Sequence, residues 1–350
     1  MSRARPKKGS GSHGGGKPGS PAKAAGKTPA KKPKPNPLSG PPFFMGSPLT
    51  SPIEGSIYPG SLVAEGDDPT QSSHRFMGAV MVAMVLITYV VFVPLINTGV
   101  VSLGFLVDPQ GLDKDVFIEG ANTYAIVWGL LASHLALAFM IVAVWAFMRF
   151  VHQRRMAWVW SISPGVRWRF FVICLGVSVI LIGIVTGYNW FIGPGWGPAP
   201  GWGWFVGVVL VTTPFQALAE EVVFRGYLMQ VFGSIHRSAW FPIVSTAVVF
   251  ALFHGVQNPW LFGSRLIFGL VAGVLVWRTG GLEASVAIHV VNNLCVFLLA
   301  ISTGTLVEIK TTTQVAWTQT VTDLAMFTVC AGVCWFVATR LRVPMVVRKS

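Results

Sequence analysis

The sequence predicts an all-α polytopic membrane bundle of about eight transmembrane helices, preceded by a disordered basic N-terminal tail. Three observations carry that prediction. Hydrophobic residues make up 53% of the 350 and charged residues 11%, with a mean hydropathy of +0.61, more apolar than a water-exposed globular surface tolerates. Apolar windows long enough to cross a hydrocarbon core of about 30 Å recur from residue 76 onward. Residues 1–40, by contrast, hold ten Lys/Arg and no acid, and supply +10 of the chain's +13.

The tail and its linker cover residues 1–75. Lys, Pro, Gly and Ser leave it little to bury, so it is expected to be disordered. No apolar h-region follows the basic run before the first full span, so it does not read as a signal peptide. Its charge suits anionic lipid headgroups at a membrane surface; nucleic acid is not the expected partner. A solvated tail that holds the N-terminus in the cytoplasm explains the same composition.

The membrane domain is expected over 76–342, with spans near 76–102, 122–150, 169–192, 203–233, 240–255, 262–278, 282–302 and 321–340, and a short basic tail over 343–350. The fifth and sixth windows are short, as tilted, kinked or re-entrant helices would be. Arg149, Arg154, Arg155, Arg167, Arg169, Arg278, Arg340 and Arg342 fall on one side if eight crossings are counted. The positive-inside rule makes that side, and both termini, cytoplasmic. The loops on the other side are acidic (Asp108, Asp113, Asp115, Glu119) or uncharged (193–203). Cys174, Cys295, Cys330 and Cys334 lie in apolar spans without zinc-ligand spacing and imply no disulfide framework. Gly183/Gly187 and Gly269/Gly273 are GxxxG patterns that permit close helix contact.

Chemistry concentrates in three short constellations. Glu220 and Glu221 stand side by side in the fourth span, where an ionisable group costs several kcal/mol and usually marks function. Adjacent helical residues are about 100° apart, so the two carboxylates are expected to divide the work. Arg225 follows Glu221 at i+4, in the favourable order for an ion pair, which leaves Glu220 to face a cavity as general base. Phe250 and His254 share a helix face in the fifth span, as His289 and Asn293 do in the seventh. A Glu, two His and an Asn on neighbouring helices are the groups needed to activate water and stabilise an oxyanion. His134, alone at membrane depth, reads as a hydrogen-bonded packing residue. HExxH and GxSxG are absent, and Ser245 or Ser285 as nucleophile has no motif behind it.

The set EExxxR, FxxxH and HxxxN, in this order on separate apolar helices, resembles the CAAX-processing and bacteriocin-processing (CPBP, or Abi) intramembrane proteases over about residues 170–302. The resemblance implies an intramembrane CAAX-type endopeptidase, a membrane hydrolase, in which Glu220 activates water and His254 binds or orients it. His289 and Asn293 would stabilise the tetrahedral oxyanion, with Glu221 and Arg225 holding the site together. Glu220, His254 and His289 have the ligand chemistry of a zinc metalloprotease, and could equally hold water without a metal. The expected substrate is a membrane-associated peptide or protein, and the expected location a prokaryotic cell membrane. Binding or scaffolding without hydrolysis is the alternative reading, followed by transport, which lacks the duplicated charge pattern of inverted repeats.

Overall fold

The structure, a computed structural model, describes residues 51–63, 72–107, 111–236, 238–255 and 257–347. Most of the basic tail, and its expected disorder, lies outside them. The helices in chain order are α1 (Ser72–Leu106), α2 (Lys114–Asn122), α3 (Val127–Ala138), α4 (Met140–Ala146), α5 (Ala157–Trp160), α6 (Trp168–Ile192), α7 (Trp202–Glu221), α8 (Met229–Ile235), α9 (Trp240–Leu252), α10 (Pro259–Thr279), α11 (Glu283–Thr303), α12 (Leu306–Thr311) and α13 (Trp317–Arg340). π-helical turns at Phe147–Val151 and Val222–Leu228 extend α4 and join α7 to α8. The only β pairing among the described residues is two isolated bridges.

Among the described residues, seven segments are long and apolar enough to cross a membrane: Arg75–Leu106, Val127–Val151, Trp168–Ile192, Trp202–Ile235, Pro259–Thr279, Glu283–Thr303 and Trp317–Arg340. The chain is an integral membrane protein. The eighth expected span, α9, has 13 residues, about 20 Å at 1.5 Å per residue, and falls short of the core thickness. The sixth, expected to be short, is a 21-residue helix, because Asn258 caps it by accepting from the Leu261 N–H and Pro259 preorganises its first turn. Leu, Val, Ile and Phe point outward along these helices, as lipid-facing surfaces do.

Two corrections concern the chain ends. Residues 51–63 were expected to be linker, and 343–347 a basic tail. Instead the two pair with each other. Gly55 N–H donates to the Val347 carbonyl and Val347 N–H to the Ser56 carbonyl, both at 2.9 Å, around the Ile57–Val346 bridge. Tyr58 and Pro59 are buried, with the Tyr58 hydroxyl donating to the Val159 carbonyl. The composition reads as linker, but Tyr58, Pro59 and Val347 bring apolar surface that burial rewards.

Arg167 fastens the same end of the bundle. Its backbone N–H and Nε donate to Glu283 Oε1 at 3.0 and 2.8 Å, and its Nη1 donates to the Thr279 carbonyl at 2.7 Å. That clamp ties the start of α6 to the turn between α10 and α11, so α11 enters the bundle at a set angle beside α7.

Candidate active site

Glu220 and Glu221 are the last residues of α7, and both are drawn inside. Glu221 has 0% of its surface exposed and Glu220 8%. They reach the same imidazole. His289 of α11, 4% exposed, places Nδ1 2.8 Å from Glu221 Oε1 and Nε2 3.3 Å from Glu220 Oε2. The 100° between adjacent helical residues, which separates two carboxylates aimed at one point, is matched by the two edges of a single ring. Arg225, in the π-helical turn, donates from Nη1 to Glu221 Oε1 at 2.9 Å. π-turns are frequent at functional sites.

Arg225 is fully buried, and its Nε and Nη2 have no hydrogen-bond partner. Its guanidinium carbon lies 4.1 Å from the Phe250 ring centroid and 5.0 Å from that of Phe268. The π faces of these rings offer the cation an electrostatic partner where hydrogen bonds are missing. Phe268 also packs on the His289 ring, with centroids 4.8 Å apart. Nδ1 makes the hydrogen bond, and Nε2 pairs with the Glu220 carboxylate by charge when the ring is an imidazolium. In that form His289 and Arg225 balance the two carboxylates, and the buried quartet is neutral as a unit.

His254 lies in the turn after α9 and is exposed. Its Nδ1–H donates to the Phe250 carbonyl at 2.8 Å, one helical turn back, which leaves Nε2 to face water or substrate. It is within electrostatic range of Glu220 and His289. Asn293, one turn after His289, donates from Nδ2 to Gln216 Oε1 at 3.0 Å, and its Oδ1 accepts from Asn292 Nδ2 at 3.3 Å. The structure thus joins Glu220, Glu221, Arg225 and His289 in one network, with His254 and Asn293 at its margins.

Two polar residues of this region escaped the sequence reading. Gln216, buried, precedes Glu220 by four residues, and that spacing was the available signal. Arg265 is the one charge in the interior of α10, which membrane depth alone should have flagged.

Among the described residues, no three His, Cys, Asp or Glu side chains form a group that could hold a metal ion. His289 turns its two ring nitrogens toward Glu221 and Glu220. Ser285 donates its hydroxyl to the Leu282 carbonyl at 3.0 Å. His134 meets Thr212 Oγ1 at 2.7 Å; that hydroxyl gives its proton to the Val208 carbonyl, so it accepts from the ring, and His134 packs as expected.

Residues 202–295 match the family model described as Type II CAAX prenyl endopeptidase Rce1-like. That is the family the motifs resemble, and the matched segment contains all six motif residues. A curated relative, Uncharacterized protein YyaK of Bacillus subtilis (strain 168), is 28% identical over 192 residues, which is 48% of this chain and 61% of the relative. The chain therefore spans less than two thirds of that relative's length. No solved structure matches.

Proposed function

From the premise that residues 202–295 are an Rce1-like segment in an integral membrane protein, we propose that the chain is an intramembrane endopeptidase. The observation that carries the reading is the unequal engagement of the two carboxylates. Glu221 is held by both Arg225 and His289. Glu220 is held by His289 alone and keeps a small exposed surface. Glu220 is thus the group free to take a proton from water, while Glu221, Arg225 and His289 hold it in place. His254 presents Nε2 to the same water. The substrate is a membrane-associated peptide or protein. The arginine-bearing end of the bundle faces the cytoplasm of a prokaryotic cell, and the basic tail contacts anionic lipid.

The test is hydrolysis of a fluorogenic peptide panel by the purified full chain in lipid nanodiscs, beside Glu220→Gln. The variant is expected to lose at least about 10³ in kcat, since removal of the base stops water attack, and to remain folded with a lowered Tm. Equal turnover by the two proteins would remove Glu220 from the chemistry. A folded wild type that binds panel peptides and cleaves none would favour the binding reading.

A further inference from the structure

Hydrolysis at Glu220 needs a donor for the negative oxygen that forms as water adds to the carbonyl. The two groups expected to supply it are partly committed. His289 turns Nδ1 to Glu221 and Nε2 toward Glu220, and Asn293 gives one of its two amide N–H to Gln216, so a further donor has a place there. Arg265 is differently placed. It lies on α10 one turn before Phe268, on the same face, and Phe268 packs against His289. α9 runs antiparallel to α10: Trp240 meets Trp277, with centroids 5.8 Å apart, and Phe250 meets Phe268 at 5.7 Å. The same register carried one turn further brings the end of α9, with His254, alongside Arg265.

Among the described residues Arg265 makes no hydrogen bond and has no carboxylate within 4.0 Å, and its Nε is buried without a partner. The nearby Asp323 does not satisfy it. That carboxylate accepts from the Ser264 hydroxyl and from Gln319 Nε2. Charges on Glu220, Asp323 and His254 all reach the guanidinium. The unpaired cation lies on the α10 face that carries Phe268 and, by the antiparallel register, beside the end of α9 with His254, so its N–H groups are uncommitted at the margin of the site.

We propose that Arg265 is a catalytic residue of this site, donating to the oxyanion of the tetrahedral intermediate. The proposal rests on the peptidase reading. Water oxygen bonds to the carbonyl carbon as its proton passes to Glu220, and the carbonyl π pair moves onto oxygen, where Arg265 N–H groups receive it. Collapse re-forms the C=O bond and breaks the C–N bond, and the leaving nitrogen takes the proton from Glu220.

Two measurements on the full chain in nanodiscs test this. The first is steady-state kinetics of Arg265→Met and Arg265→Lys. A lost oxyanion donor lowers kcat by about 10²–10³, so the Met variant is expected to fall by that factor with KM within twofold, and the Lys variant to regain part of the loss. A raised KM at unchanged kcat would make Arg265 a ground-state binder, for instance of a substrate carboxylate, and would overturn the proposal. Loss of kcat with a matching fall in Tm and no rescue by Lys would make its role structural, with the same consequence. The second is binding of a peptide phosphinate, a tetrahedral anion, against its parent amide. Wild type is expected to prefer the phosphinate at least about 10²-fold, and Arg265→Met to lose that preference. A variant that keeps it would sink the role of Arg265 and leave the peptidase reading standing. A wild type without the preference would sink both.

Discussion

At the scale of single residues, the buried quartet is held by charge balance. Removing one member of a buried ion pair leaves the other charge uncompensated, at a cost of about 3–5 kcal/mol. Arg225→Met, which keeps volume and apolar contact with Phe250 and Phe268, is therefore expected to lower thermal stability strongly. Glu221→Gln on top of it should recover part of the loss. A pair of single variants whose effects simply add in thermal unfolding would show that the two groups are not coupled. His152 offers a second test outside the spans. Burial, with the Arg154 charge beside it, pushes its imidazole down to about 4, and its Nε2 meets the Tyr227 hydroxyl at 2.8 Å. The folded state therefore prefers the neutral ring. The unfolded chain binds the proton more readily, so stability is retained above about pH 6.5 and lost as pH falls toward 4. A Tm that drops over that window in the wild type and less in His152→Gln is the expected result.

At the scale of elements, close approach of α9 and α10 brings His254 to the site. A Cβ on Gly269 would stand 2.8 Å from both Cα and Cβ of Ala247, and one on Gly273 3.0 Å from Ile243 Cγ2. Gly269/Gly273 packs within the chain, whereas Gly183 and Gly187 have nothing within 4 Å. Gly269→Val is expected to cost about 1–3 kcal/mol by overpacking and to depress turnover as α9 shifts. Gly183→Val should stay within about 0.5 kcal/mol of wild type. Equal effects in the two variants would refute the distinction. The continuous segment Trp202–Ile235 is longer than one crossing: its 34 residues, about 50 Å of helix, exceed a hydrocarbon core of about 30 Å.

At the scale of the whole molecule, alternation of the helices gathers Arg149, Arg155, Arg167, Arg169, Arg278 and Arg340 at one end, and Asp113, Asp115, Glu119 and Glu308 at the other. Asp113 and Arg278 are both exposed. On intact cells a membrane-impermeant maleimide is expected to label Asp113→Cys, and to reach Arg278→Cys only after permeabilisation; the reverse pattern would invert the orientation. The helices were legible because lipid demands about 20 apolar residues per crossing and satisfies every backbone group within one segment, a constraint written locally along the chain. The candidate motifs were legible because charge and imidazole in apolar helices stand out against their surroundings. The sequence by itself determined the membrane class and, to within a few residues, seven of the eight expected spans, and it singled out Glu220, Glu221, Arg225, His254, His289 and Asn293 as candidates. Tertiary structure alone decided which atom meets which. Both glutamates share one ring, Gln216 claims Asn293, Arg265 stands unpaired beside the site, and segments that read as linker and tail close against each other. Such pairings join residues tens to hundreds of positions apart, through packing angles and helix phases that no local pattern encodes.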